Sequence, residues 1–336
     1  MAKKVTIKDI ARELNTNYST VSRALNNHPR ISEETKSAVK LKAKQMGYKP
    51  NLLAQQLKSG HSKTIGLIVP RINRVFFSNV IDGIESVAKK NGYNVLICQS
   101  YESAEEENRN IQTLLSNNVA GLIISFTRET YTSEALSSIQ KHDIPLVLFD
   151  RTLNDSSVNK VINDNYHGAY QLTDHLLQQG YKKIVHFSGP LHLVSYKERL
   201  EGYKDALLAH NIEINPNLII EDILTREKGF DTAKRLNETG LLFDAVFAAS
   251  DFSALGAMLY LKDAGKKIPD EIAISGFANE PFTELLEITS VEQFSKNIGE
   301  RSAELLLKQI KNKPAEHETI KINPELIIRK STNKKL

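Results

Sequence analysis

The chain predicts a two-part molecule: an all-α helix-turn-helix head followed by an α/β body of two lobes, each a doubly wound, mostly parallel sheet. Three observations predict it. Val5 to Leu25, VTIKDIARELNTNYSTVSRAL, reads as two short amphipathic helices joined by a polar turn. From Thr64 onward, apolar β-like runs alternate with amphipathic helices. That alternation continues for about 270 residues, more than one core holds comfortably.

In the first helix Thr6 is a candidate N-cap, and Ile7, Ile10, Ala11 and Leu14 recur at the helical period. The turn Asn15-Thr16-Asn17 follows. Asn17 can cap a second helix in which Val21, Ala24 and Leu25 share one face, leaving Tyr18, Ser19, Ser22 and Arg23 on the other. That outer face suits a duplex groove. Arg23 can fork onto a guanine edge, Tyr18 and Ser19 can meet bases or phosphates, and Thr20 and Ser22 can bond phosphate oxygens. Thr6 and Asn26 complete the candidate DNA-contacting set within the head. An ordinary solvated helical hairpin is the competing reading of these residues alone. A third helix is predicted from Ser32, with Glu33 and Glu34 in its first turn and Gly47 as its stop after Met46. Residues 1–62 hold 12 Lys and Arg against 4 acids, a formal +8; the whole chain is +4, so the remainder is −4. A basic head on a mildly acidic body is the charge split expected when only the head meets phosphates.

Between Tyr48 and Gly60, Pro50 ends the preceding segment, and Asn51 can cap a short helix to about Leu57 that shows Leu53, Ala54 and Leu57. Isolated helices under about 12 residues are marginal in water, so this one is predicted to form only when two copies pair on DNA. The body strands are predicted at Ile65 to Val69, Val95 to Ser100, Gly121 to Phe126, Leu146 to Asp150, Lys183 to Ser188, Asn217 to Glu221, Asp244 to Ala249 and Glu271 to Phe277. Ligands of open α/β sheets sit beyond the carboxyl ends of strands. The candidates there are Arg71, Asn73, Phe76 and Phe77 after the first strand, Asp150 and Arg151 after the fourth, and Ser250 and Asp251 further on. Together they offer an aromatic wall and fixed polar partners. Phe76 and Phe77 read equally as core, and Asp150, Asp164 and Asp251 as caps.

Other classes find little support. The chain has no GxGxxG after the first strand, no Walker loop, no HExxH and no GxSxG, and its nine His are scattered, so no enzyme, metal site or cofactor is predicted. No apolar run approaches the ~20 residues of a membrane span. Cys98, the single cysteine, is expected to be a buried thiol in a strand. MAKKVTIKDIA enters the first helix without an apolar signal region, which predicts a cytoplasmic protein and disfavours a secreted sugar-binding one.

The segments VTIKDIA, STVSRALN, ISEET, GYKPN and AQQLKSG, in this order and spacing, closely resemble the head of the lactose-repressor/galactose-repressor (LacI/GalR) transcription factors. TIGLIVP, FFSNVIDGIE, LFDR, NDNYHGA, RLEGY, DAVFAASD, IPDEIAISGF and RKST extend the resemblance over nearly the whole chain. It implies a helix-turn-helix DNA-binding domain at 1–49, a hinge helix and linker at 50–62, and a periplasmic-binding-protein-like effector and dimerisation domain at 63–336. The N-lobe would comprise about 63–161 and 292–321, and the C-lobe about 162–291 and 322–336, with crossings near Ile162, Val291 and Ile322. It implies a homodimer on a palindromic double-stranded operator, with Asn51, Ala54 and Leu57 at the minor groove and Leu57 as the wedge that kinks it. A small-molecule effector, a sugar or sugar phosphate, would lie in the cleft. Phe77 or its neighbour would line it, Asp150 and Asp251 would accept from hydroxyls, and Arg199 would be the main donor, with Asn163 and Asn279 completing the set. One departure stands in Gly276-Phe277-Ala278-Asn279-Glu280: Ala278 cannot accept where relatives have a hydroxyl acceptor. Either Asn279 or Glu280 takes over, or the effector lacks that hydroxyl. Arg71 and Arg74 near the cleft mouth add a phosphorylated sugar as a candidate.

Overall fold

A computed structural model describes residues 5–48, 62–132, 134–153, 157–312 and 316–333. The chain divides into two compact units, 1–61 and 62–336. The hinge residues Asn51, Ala54 and Leu57 lie outside the described residues.

In the first unit, α1 (Ile7–Glu13) opens on a capping box. The Thr6 side chain accepts from the Asp9 N–H, and the Asp9 carboxylate accepts from the Thr6 N–H at 2.9 Å. Helix α2 (Tyr18–Leu25) starts at Asn17, whose side chain makes no capping bond. Asn17 therefore supplies the extended backbone of an N-cap without its hydrogen bond. Helix α3 (Glu33–Gln45) is capped by Ser32 and stops at Met46, with Gly47 at φ +66°. Ile10, Ala11, Val21, Ala24, Val39 and Ala43 form the shared core.

The second unit holds two six-stranded sheets. The first contains β1 (Thr64–Val69), β2 (Asn94–Gln99), β3 (Gly121–Ile124), β4 (Leu146–Phe149), β5 (Asn159–Asn163) and β11 (Thr319–Ile322), ordered β11-β5-β4-β3-β1-β2 and all parallel. The second contains β6 (Ile184–Phe187), β7 (Ile219–Ile220), β8 (Ala245–Ala248), β9 (Ala273–Phe277), β10 (Thr289–Glu292) and β12 (Glu325–Ile327), ordered β12-β10-β9-β8-β6-β7. Only β12 runs antiparallel. Each sheet carries an apolar cluster on both faces, which is why most of its inner strands are buried without alternation. The sixth predicted strand, Asn217 to Glu221, is shorter than expected. Asn215 caps a 3-10 turn at Pro216–Leu218, leaving two residues for β7. Cys98 is half-buried rather than buried, because β2 is a sheet edge.

The helices around the first sheet are α4 (Val75–Lys90), α5 (Ala104–Ser116), α6 (Glu134–Lys141) and α12 (Ser295–Asn312). Those around the second are α7 (Asn165–Gln178), α8 (Val194–Ala209), α9 (Arg226–Glu238), α10 (Asp251–Asp263) and α11 (Pro281–Leu285). Two helix pairs meet backbone to backbone through reciprocal glycines. A β-carbon at Gly83 of α4 would fall on the Lys296 carbonyl, and one at Gly299 of α12 on the Val80 carbonyl. Gly229 of α9 and Gly256 of α10 stand in the same reciprocal relation to Ser253 and Arg226. Glycine is required there by space.

The chain passes between sheets three times: after β5, between β10 and α12, and between β11 and β12. Asn163 ties all three passages. Its Nδ2 donates to the Gln293 carbonyl at 2.9 Å and to the Ile322 carbonyl at 3.4 Å, and its Oδ1 accepts from Gln293 Nε2 at 2.9 Å.

Candidate functional site

Two sites emerge, one in each unit. On the head, burying Val21 and Ala24 turns the opposite side of α2 outward. Tyr18, Arg23 and Asn26 are exposed, and Ser19, Thr20 and Ser22 are partly so. Arg23 has no ion-pair partner among the described residues, so its guanidinium is available. Asn26 donates to the Ser22 carbonyl at 2.8 Å, which fixes the amide at the end of this face. Thr6 stands exposed at the start of α1, its hydroxyl shared with Asp9.

In the second unit, a cavity of about 260 Å³ opens between the two sheets at the carboxyl ends of their strands. The chain turns sharply there. Glu102, Asp150, Ala278 and Asn279, all just beyond strands, have φ of +67°, +55°, +131° and +51°. Such left-handed non-glycine backbone is uncommon and concentrates where function overrides local preference. From the predicted set, Arg71, Asn73, Phe76, Phe77, Asp150, Arg199 and Ser250 line this cavity.

Asn163, Asp251 and Asn279 do not line it, contrary to the sequence expectation. Asn163 spends its amide on the three passages. Asp251 is fully buried, accepting from Ser290 Oγ at 2.6 Å and the Glu280 N–H at 2.8 Å. Burial pushes its carboxyl up to about 7, against those hydrogen bonds. Asn279 turns away, donating to Glu292 at 2.8 Å and accepting from Arg329 at 2.8 Å and Thr283 at 3.2 Å. Ala278 and Glu280 face the cavity in its place.

The wall has two layers. Arg199, buried on α8, donates through Nε to Asn165 at 2.9 Å and through Nη1 to the Ala249 carbonyl at 2.8 Å, and stacks over Phe277 at 3.8 Å. Burial lowers its pKa, with Tyr196 and Asp150 opposing. Arg151 grips Glu102 with two contacts of 2.8 and 2.9 Å. Burial works against the Glu102 carboxylate, but Arg151 outweighs it and holds the pKa below its ordinary value. For Asp150 burial wins over Arg151 and Arg199, and its pKa is raised. At the rim, Arg128 from the first lobe reaches Asp222 of the second at 3.3 Å, Tyr131 stacks on His192 at 4.0 Å, and Arg74 lies over Phe252 at 3.7 Å. Glu102, Arg128, Tyr196, Phe252 and Gln293 were not singled out from the sequence. The strand-end rule that pointed to Arg71 and Asp150 applies equally to Glu102 and Arg128, which follow β2 and β3.

Comparison with known proteins covers both units. Residues 6–51 match the model of bacterial regulatory proteins of the lacI family, and residues 62–330 that of periplasmic binding proteins and the sugar-binding domain of the LacI family. The chain is 32% identical to the HTH-type transcriptional repressor PurR of Vibrio atlanticus, covering 98% of this chain and 99% of that protein. It is also 32% identical to the ribose operon repressor of Halalkalibacterium halodurans, covering 97% of each. A lac repressor dimer bound to operator and the anti-inducer ONPF shares the fold, with a TM-score of 0.88 at 24% identity over 98% of this chain and 100% of that one.

Proposed function

Because the chain belongs to the lacI family of bacterial regulatory proteins, we propose that it is a sequence-specific, DNA-binding transcriptional repressor whose operator affinity is set by a small molecule of the carbohydrate class. The observation that carries this reading is the joining, in one chain, of a basic head that exposes Arg23 on α2 to a cleft walled by the buried Arg199. The PurR and ribose operon relatives are repressors, and the protein acts on DNA without catalysing a reaction.

The head at 1–49 reads bases through α2, and the linker at 50–62 supplies Asn51, Ala54 and Leu57 to the minor groove. Residues 63–336 bind the effector and dimerise, and the protein works in the cytoplasm. A second copy covers the apolar side chains left exposed on the first lobe, among them Ile72, Val75, Leu96 and Ile97. Two-fold symmetry then imposes a near-palindrome on the operator. The cavity volume, near the lower limit of about 300 Å³ for ligand pockets, favours a monosaccharide over a longer chain. Effector binding alters the pose of the lobes and shifts operator affinity by typically about 1–3 kcal/mol.

The test is selection of genomic fragments by the purified protein, with and without a panel of sugars and sugar phosphates. A recovered palindrome that one compound releases or tightens supports the regulator and gives the sign of its response. Binding with no sequence preference refutes it.

A further inference from the structure

The cavity is rich in donors and poor in acceptors. Its wall contains five arginines, Arg71, Arg74, Arg128, Arg151 and Arg199, against three acids, Glu102, Asp150 and Glu280. Arg151 is committed to Glu102, and Arg128 is shared between Glu102 at 3.7 Å and Asp222 at 3.3 Å. Arg71, Arg74 and Arg199 form no ion pair among the described residues. Asp150 sits 4.0 Å from Arg151 Nε, and Glu280 accepts from the Phe76 backbone, with burial disfavouring its charged form against the pull of Arg74. Counting Asp222, which pairs with Arg128 from outside the wall, one formal positive charge is left over, and the half-buried Arg71 and Arg74 at the cavity mouth carry no ion pair to offset theirs.

We propose that the ligand of this cleft carries an oxyanion, seated on Arg71 and Arg74 at the entrance to α4, while its ring reaches Arg199. The proposal rests on the ligand-responsive reading above. Arg71 and Arg74 stand three residues apart on the turn between β1 and α4. Stacking over Phe252 fixes the plane of the Arg74 guanidinium and leaves its N–H edge for a fork onto a phosphate or carboxylate. Arg74 is also the N-cap of α4 and makes no side-chain capping bond, so the positive end of that helix adds to the same field. A neutral sugar has little use for this surplus of donors. It would gain more from a carboxylate or amide at position 278, where Ala278 lines the wall.

The experiment uses the full chain. Inorganic phosphate, as the bare oxyanion probe, is compared with chloride at equal ionic strength by thermal shift. Calorimetric titration then compares ribose with ribose 5-phosphate, glucose with glucose 6-phosphate, and fructose with its 1- and 6-phosphates, with glucuronate as the carboxylate arm. Phosphate should raise the melting temperature above chloride by more in the parent chain than in the chain carrying both Arg71→Gln and Arg74→Gln, since its general stabilisation acts on both, and a charged sugar should bind at least tenfold tighter than its neutral partner. Replacing Arg71→Gln and Arg74→Gln together should remove about tenfold or more of the charged sugar's affinity and leave the neutral sugar within about twofold. Arg71→Gln alone, in an exposed loop, should give the smaller part of the same loss. A preference for glucuronate assigns the oxyanion to a carboxylate; a preference for a phosphorylated sugar assigns it to phosphate. If phosphate stabilises the parent and the double variant equally, or a neutral sugar binds as tightly as its charged partner, the proposal is overturned. Genomic fragment selection on the same samples separates the two levels. Selected DNA released by a neutral sugar overturns the oxyanion alone, whereas absence of selected DNA overturns the regulator itself.

Discussion

Replacing Asn163 with Ala should destabilise the ligand-binding unit by about 3–5 kcal/mol. Two well-placed hydrogen bonds of 2.9 Å disappear, each worth about 1 kcal/mol net. The Gln293 carbonyl is left buried without its amide donor, which adds about 1–3 kcal/mol. The Ile322 carbonyl keeps the Asp164 N–H at 3.0 Å, and the Gln293 amide can turn into the cavity, so neither adds much. For a unit of this size each kcal/mol moves the melting temperature by roughly 2–4 °C, and the drop should be about 6–20 °C. Differential scanning calorimetry of the full chain measures it. Asn163→Asp sharpens the test, because a carboxylate of the same shape would face the Gln293 and Ile322 carbonyls. At pH 7 it should be worse than Ala, and acidification should narrow the difference. A melting temperature within about 2 °C of the parent for Asn163→Ala, or an Asp variant more stable than Ala at pH 7, would refute the reasoning.

Three further outcomes are expected. Arg23→Ala should cost about 1–3 kcal/mol on a selected operator and much less on a scrambled duplex, measured by fluorescence anisotropy; equal losses would remove Arg23 from base readout. Glu107, 1% exposed, is pushed up to about 7 by burial, with Thr130 and Thr127 opposing. Its folded form therefore holds the proton more tightly than the unfolded chain. Stability should fall by up to about 3 kcal/mol between pH 4.5 and 7, and urea unfolding of Glu107→Gln should show a shallower slope over that window. Gly256→Ala sets a methyl group on the Arg226 carbonyl and should cost about 3 kcal/mol or more, with a matching loss of melting temperature; a neutral result would mean that α9 and α10 can part freely.

The legible part of the fold is the part buried on both sides. β1, β3, β4, β8 and β9 are nearly continuous apolar runs, polar only at Thr64 and Ser275, because helices cover both faces of their sheets. β5, β10, β11 and β12 escaped periodicity for physical reasons. β5 buries polar Asn159, Lys160 and Asn163 through hydrogen bonds, while β11 and β12 are short strands at sheet edges. The three passages between lobes came from family resemblance, since strand order is not encoded in local alternation. In the cavity, position was readable and orientation was not. Asp251 and Asn279 sit where strand-end residues meet a ligand, yet their oxygens are satisfied by Ser290, Glu280, Arg329 and Thr283 across the sheet. Apart from Thr283, those partners lie 29 to 50 residues away, beyond the reach of a local pattern.

The reciprocal glycines of α4 and α12 have a mechanical consequence. Two helices whose backbones touch cannot slide past each other without carbonyls striking α-carbons, so they move as one beam. One end of that beam, through Arg74, Phe76 and Phe77, forms a wall of the cleft; the start of α12 follows Gln293, which shares that wall and bonds Asn163. A molecule pressing on the arginines therefore meets a lever rather than a cushion. Its push has little play to absorb it within the first lobe, and is delivered to the three passages that Asn163 ties together.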